Sequence, residues 1–414
     1  MRGETKRGGT KPWIWALVAV LAVLAWQALT VDANYAGNWT GLFRTGWRTP
    51  VPARLAPGTF RNAHPKGYDG QYYRFLAHDP FLRHGTATDL DTPMDRSRRI
   101  LVPLLAWALA GGQQGAIDGA YVLVILGSIF AGTCFLGCIM VRQGRHAALG
   151  LLFLAVPATI VGIDTMTVDI TLAALTACFA WHWGSGREPG WGLWFTLAAA
   201  GLTRETGLLL AAACVLAAVV KRDYRRAAFW GTAVLPALGW YEYLHFAIPP
   251  AGGTPLSVPG WLWPRPQLGI AMRAIEPPRY PLLGASVERI IRALDTVSLL
   301  AMMAAAALGI LRLRWAKPAA IRAALGLQVA FLLAITDEMF WTPPYGYCRP
   351  FAPLFVLLLA GDAAGRGRRA WVTAILVCAL VDVRVLAEME TQMLGVLRWL
   401  GLGCPAAEGI SRPR

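Results

Sequence analysis

Residues 100–111, Ile100-Leu101-Val102-Pro103-Leu104-Leu105-Ala106-Trp107-Ala108-Leu109-Ala110-Gly111, decide how the rest of the chain is threaded. The run is apolar but short, and a helix needs about 20 apolar residues to cross the hydrocarbon core of a bilayer. Read as a crossing, it reverses the side of every later link. Read as a juxtamembrane helix lying on the membrane surface, it leaves the basic links all on one side. These links hold Arg142 and Arg145; Lys221, Arg222, Arg225 and Arg226; Arg312, Arg314 and Lys317; Arg366, Arg368 and Arg369. The leader adds Arg2, Lys6, Arg7 and Lys11. Such a one-sided excess of Lys and Arg marks the cytoplasmic face, so the surface-helix reading is adopted.

Composition supports a membrane chain. Of 414 residues, 56% are hydrophobic and 15% charged, which no ordinary soluble domain matches. Apolar runs lie near 13–30, 118–141, 147–163, 167–183, 190–203, 206–220, 228–248, 291–311, 320–340, 349–363 and 371–387. They lack the alternation a barrel strand needs, and a backbone in lipid must satisfy its own hydrogen bonds, so helices are expected. The predicted fold is an all-α integral membrane bundle of about eleven transmembrane helices with a long first extracytoplasmic loop. Residues 1–12 form a cytoplasmic leader, 13–390 a polytopic domain with outer loops 31–117 and 249–290, and 391–414 a tail. Within this scheme 190–203 and 206–220 form a shallow or broken hairpin, and 391–403 is a second surface helix. The first span also resembles a signal peptide with Val31-Asp32-Ala33 as a cleavage site, but the many later spans favour an uncleaved anchor.

The net charge of +15 is spread over membrane-proximal links, which argues against nucleic acid as a partner. Cys134, Cys138, Cys178, Cys214 and Cys378 fall in apolar runs, while Cys348 and Cys404 both face outward, where a disulfide is allowed. Asn38-Trp39-Thr40 matches a glycosylation sequon.

The polar residues between spans concentrate on the outer side. Gly67-Tyr68-Asp69-Gly70-Gln71-Tyr72-Tyr73 sets a carboxylate among aromatic rings; Asp69 either caps a helix over 70–77 or faces a ligand. In Asp95-Arg96-Ser97-Arg98-Arg99, the forked donors of Arg98 and Arg99 suit a phosphate or anionic headgroups. Asp89-Leu90-Asp91 has metal-binding spacing, and a divalent metal is left open as a cofactor. Asp164 and Asp169 either cap the following helix or line a polar cavity. Arg204 and Glu205 sit at the hairpin tip, paired with each other or offered to an anion. Finally Asp337, Glu338, Tyr345, Tyr347 and Arg349 cluster at another outer junction; an interfacial aromatic belt accounts for the rings but not for the charges. Carboxylates, arginines and aromatic rings on one face suit a ligand containing both phosphate and sugar.

The order YDGQYY, RSRRILVPLLAWALA, VPATIVGIDTMTVD, GLTRETGLL, YGYCRPFAPLF resembles bacterial polytopic glycosyltransferases of the GT-C superfold. It is also distantly similar to the GPI mannosyltransferase II family. The resemblance covers roughly residues 13–360. It implies an enzyme of the bacterial inner membrane that takes a polyprenyl-phosphate-linked sugar donor on the extracytoplasmic face. The acceptor is a glycan, a lipid or a protein. Asp69 matches the family's essential acid and becomes the candidate general base. Arg98, Arg99, Arg204 and Arg349 become the phosphate ligands. Tyr68, Gln71, Tyr72, Asp164, Asp169, Glu205, Asp337, Glu338, Tyr345 and Tyr347 become the substrate pocket. The chain departs from the family in showing Asp69 alone rather than a clear acidic pair. The competing expectation is a transporter or flippase of a lipid-linked sugar; near absence of charge within the spans and lack of a repeat favour the enzyme.

Overall fold

The computed structural model describes residues 11–184, 189–248, 269–281, 283–361 and 368–402, and every regular element among them is helical. Helix α1 (Pro12–Tyr35) begins with proline at its first turn, where a missing N–H costs nothing. It is followed by an irregular segment carrying α2 (Gly70–His78), α3 (Pro93–Arg98) and α4 (Leu101–Leu109). Helix α5 (Gln114–Arg142) then runs 29 residues, about 44 Å at 1.5 Å per residue. The irregular segment sits at the start of α5 and the basic link Arg142–Arg145 at its far end. We call the first of these the loop end.

The expected span 147–163 is a bent pair. A 3-10 stretch (Ala147–Ala155) meets α6 (Pro157–Thr165) at 67°. The 3-10 stretch packs tightly on α5, and a side chain on Gly150 would run into Thr133 O at 2.5 Å. After α6 comes a turn at Met166, a non-glycine residue at φ 54°, held by the Tyr121 hydroxyl donating to Met166 O at 2.9 Å. Helix α7 (Asp169–Gly184) follows, then α8 (Trp191–Thr203) and α9 (Leu208–Val220). Between these last two the polar tip at Arg204 and Glu205 breaks the helix. The expected span 228–248 is divided into α10 (Tyr224–Gly231) and α11 (Leu235–Ala247). Trp240 and Tyr243 of α11 reach the first loop, donating to Ser97 O at 2.8 Å and Phe81 O at 2.6 Å.

The remainder comprises α12 (Gly269–Ile275), α13 (Ala285–Arg312), α14 (Ala319–Ala334), α15 (Pro344–Tyr347), α16 (Ala352–Ala360), α17 (Arg368–Ala387) and α18 (Glu390–Trp399). Helix α18 returns to α1 at the loop end, where Asn34 donates to Gln392 O at 3.2 Å.

Among the described residues, four helices are long and apolar enough to cross a membrane: α1, α5, α13 and α17. The count reaches five if the bent pair is one span. The chain is thus built for a membrane, but most of the other expected spans appear as helices of 13 to 16 residues or as broken pairs. The cause is local: charged tips and prolines interrupt the apolar runs. The short run at 100–111 does form a separate short helix, α4, and the expected helix at 391–403 appears as α18. Half of the expected outer loop 249–290 lies outside the described residues, as does Cys404; Cys348 is buried and makes no disulfide among them.

The spans are also less free of charge than their sequence reading implied. Asp295 of α13 and Arg384 of α17 pair at 2.6 Å, and Tyr280 donates to Asp295 at 2.8 Å. Arg384 lies in the last turn of α17, while Asp295 stands inside α13.

The approach of α2 to the α6–α7 turn sets the site. A Cβ at Gly70 would overlap Thr165 O, whereas nothing lies within 4 Å of one at Gly58. Gly70→Ala is expected to destabilise the protein by about 1–3 kcal/mol through overpacking, and Gly58→Ala to stay within about 0.5 kcal/mol. Thermal melting in detergent distinguishes them.

Candidate functional site

The first loop is folded back on itself before it delivers Asp69. Gly67 adopts φ 61°, close against Gly46, and Tyr68 N donates to Arg44 O at 2.9 Å. Gln71 braces the same turn: its Oε1 accepts from Gly46 N at 3.0 Å and its Nε2 donates to Lys66 O at 2.8 Å. Asp69 then stands at the start of α2 without capping it; no side-chain cap bond is made.

Its carboxylate is used elsewhere. Oδ2 of Asp69 receives Arg349 Nη1 at 2.6 Å and Arg96 Nη1 at 2.7 Å. Oδ1 accepts no hydrogen bond among the described residues. Arg349, on the turn before α16, also donates from Nε to Asp169 Oδ2 at 2.6 Å and from Nη1 to the Tyr68 hydroxyl at 3.1 Å. The other oxygen of Asp169 pairs with Arg204. Arg96 is gripped from behind by Asp91, through Nε and Nη2 at 2.9 Å each. Beside them Arg99 pairs with Glu205 at 3.2 Å and donates to the Tyr73 hydroxyl at 3.1 Å. The result is a lattice in which Arg96, Arg99, Arg204 and Arg349 are matched by Asp69, Asp91, Asp169 and Glu205. Aromatic faces complete it, with Arg96 5.0 Å from the Tyr72 ring centre and Arg349 5.4 Å from that of Tyr68.

Burial makes this lattice consequential. Asp169 is fully buried and Arg349 is 3% exposed, so neither charge is tolerable without its partners. One guanidinium nitrogen, Arg349 Nη2, is buried with no hydrogen-bond partner. Burial pushes the Asp69 carboxyl upward, but Arg349 and Arg96 outweigh it and hold the group well below the usual carboxylate range. Asp91 is likewise held down, its burial being offset by Arg96.

A second layer supports the first. Asp164 accepts two bonds from Arg44, at 2.8 and 2.7 Å, and one from the Tyr345 hydroxyl at 2.9 Å. The Tyr345 ring meets Tyr68 edge to face at 5.5 Å. Asp164 and Tyr345 therefore hold the wall behind the lattice.

The remaining sequence candidates lie apart. Arg98 pairs with Asp95 at 3.5 Å on the surface and rests against the Tyr241 ring. Asp337 caps the turn after it by accepting from Met339 N at 2.9 Å, and Glu338 is exposed. The Tyr347 hydroxyl bonds Ser298 at 2.7 Å, inside the bundle. Asp89 and Asp91 flank a cleft, with Asp91 taken up by Arg96; among the described residues no three His, Cys, Asp or Glu gather as a metal ligand set. Arg96, Tyr73 and Arg44 were not singled out from sequence. Arg96 had a usable signal: it stands three residues before Arg99, a spacing at which helical side chains share a face, whereas Arg98 does not share it.

In front of the lattice a cleft of about 470 Å³ opens between residues 48–50, 65–72 and 88–91, with Asp69 in its wall. The arrangement offers forked cations for an anion, a carboxylate with one oxygen free of hydrogen bonds among the described residues, and a chamber of mixed polar and apolar lining beside it. Compared with known proteins, the chain matches no family model, no curated protein and no solved structure.

Arg349→Ala strips Asp169 of one buried partner and Asp69 of another, and is expected to cost about 3–5 kcal/mol. Arg349→Lys keeps the charge but cannot reach both carboxylates as a fork, so it recovers only part of that loss. Denaturation in detergent measures both. The depressed Asp69 also fixes a sign. Its ion pairs contribute stability that is fully present above about pH 4, the unfolded carboxyl's range, and is lost only as pH falls toward the depressed folded value. Asp69→Asn is therefore expected to flatten the acid side of a stability–pH curve.

Proposed function

We propose that this chain is a membrane glycosyltransferase that transfers a sugar from a polyprenyl-phosphate-linked donor to an acceptor at the extracytoplasmic face. The observation that carries this reading is the placement of Asp69, bonded by Arg349 and Arg96 through one oxygen while it lines a polar cleft. The proposed setting is the bacterial inner membrane, with the leader and the basic links in the cytoplasm and the loop end outside. On this reading the broken helices belong to a GT-C-like bundle of about eleven crossings, the short ones packing against the long.

The chemistry follows from the lattice. The donor phosphate competes with Asp69 for Arg96 and Arg349, and the buried, unpartnered Nη2 of Arg349 gives it a further contact. Arg99 and Arg204 flank the same place. As Arg96 turns toward phosphate, Asp69 loses part of the charge that depresses it and becomes a stronger base. The acceptor hydroxyl oxygen then attacks the anomeric carbon. Its proton passes to Asp69, and the carbon–oxygen bond to phosphate breaks with its electron pair leaving on polyprenyl phosphate. Polyprenyl phosphate needs no strong general acid to depart, and the arginines stabilise it. A single displacement of this kind inverts the anomeric centre; the comparison with glycoside hydrolysis is by analogy.

A flippase or transporter of the same lipid remains the second reading, and the buried Asp295–Arg384 pair is the feature that favours it. Against it, transporters place such groups near the bilayer midplane, whereas Arg384 lies in the last turn of α17.

Loss of the base is expected to reduce transfer by about 10²–10⁴-fold in Asp69→Asn. Native mass spectrometry of protein released from its own membranes reads the consequence. Glycosylated polyprenyl phosphate accumulating on Asp69→Asn, against polyprenyl phosphate on the unaltered protein, supports transfer. An unphosphorylated solute on both sinks it. For the topology, a membrane-impermeant maleimide is expected to label His64→Cys in intact cells, and Arg145→Cys only after permeabilisation.

A further inference from the structure

The cleft before Asp69 shares Asp69 and Asp91 with the ion-pair lattice, but its other charged residues, Arg48, Lys66 and Asp89, take no part in that lattice. It is built wholly from the first loop, from residues 48–50, 65–72 and 88–91, and no residue of a long apolar helix lines it. Its volume of about 470 Å³ is in the range of ordinary small-molecule sites, about 300–1,000 Å³. The wall alternates donors and acceptors. Arg48, Lys66 and Asp89 line the cleft together with Asp91, whose carboxylate is held by Arg96. Tyr68 and Tyr72, which carry Arg349 and Arg96 on their rings, supply aromatic surface, and beside the lining residue Arg48 the half-exposed Trp47 holds that guanidinium 4.5 Å from its ring centre.

A lipid acceptor needs an apolar slot leading from the bilayer, and no residue of a long apolar helix lines this cleft, whose apolar lining is Pro50, Pro65 and Leu90 with the tyrosines. An anionic acceptor would meet Asp89 and Asp91 as well as the cations. A neutral polyhydroxyl chain gains from every part of the wall: it donates to carboxylates, accepts from Arg48 and Lys66, and lays its apolar faces on aromatic rings. We propose that the cleft is the acceptor subsite and that the acceptor is a neutral oligosaccharide, entering from the aqueous side rather than from the membrane. The name acceptor rests on the transferase reading; the glycan site does not.

Saturation-transfer NMR on the purified full-length protein in detergent tests this with three neutral probes, the trimers of glucose, mannose and galactose, and one acidic probe, a uronic acid trimer. The expected result is contact with a neutral trimer. It weakens about tenfold in Arg48→Ala/Lys66→Ala and also in Asp89→Asn, each variant losing the equivalent of one good hydrogen bond. Requiring both losses is decisive, because an anionic ligand is weakened by the first variant and strengthened by the second. No contact with any neutral trimer overturns the inference. So does contact unchanged in either variant, or a preference for the uronic acid trimer that Asp89→Asn increases. Polyprenyl phosphate retained by the same preparations is read separately by native mass spectrometry. Its absence counts against the transferase, while the trimer result alone decides the cleft.

Discussion

Arg349 is the joint on which the loop end depends. Its guanidinium holds Asp169 at the start of α7 and Asp69 at the start of α2, two segments separated in sequence by the whole of α5. A buried guanidinium is costly unless its donors are used, and a buried carboxylate equally so. Each group therefore makes the others' position necessary. The first loop is pinned to the bundle by charge at the same place where a charged ligand would bind.

That economy explains why the surrounding contacts are arranged in layers. Arg44 and Tyr345 hold Asp164 just behind the lattice, and Tyr68 packs edge to face on Tyr345 in front of it. The wall is thus fixed largely from behind, leaving Arg96 and Arg99 as the more exposed arginines of the lattice. Arg96 sits on the six-residue helix α3 with Asp91 behind it, whereas Arg349 is locked between two carboxylates and a tyrosine. If one arginine moves toward an incoming phosphate, elementary energetics selects Arg96, since its partners are closer to water and cheaper to exchange.

The same contrast separates the two polar regions. The lattice is dense, charge-balanced and buried around Asp169 and Arg349, suited to recognising phosphate by geometry. The cleft is roomy and mixed, suited to hydroxyls. A transferase needs both side by side with a carboxylate between them, and Asp69 belongs to each: one oxygen in the ion pairs, the residue itself in the cleft wall. The Asp295–Arg384 pair serves a different end, tying α13 to α17 with Tyr280 as its third member.

By itself the sequence determined that the chain is helical and made for a membrane, because long apolar runs leave the backbone no other way to satisfy itself in lipid. It also located α4 and α18 as short helices and identified Asp69, Arg99, Arg204, Arg349 and Asp169 as charges with a shared place, since charges at the ends of apolar runs are too costly to be idle. Tertiary structure decided the rest. Which arginine of Arg96, Arg98 and Arg99 reaches Asp69 turned on the direction each side chain leaves α3. The role of Asp91 as a counter-charge, and the existence of the cleft, come from loop segments brought together across tens of residues, and no local pattern encodes a meeting of that kind.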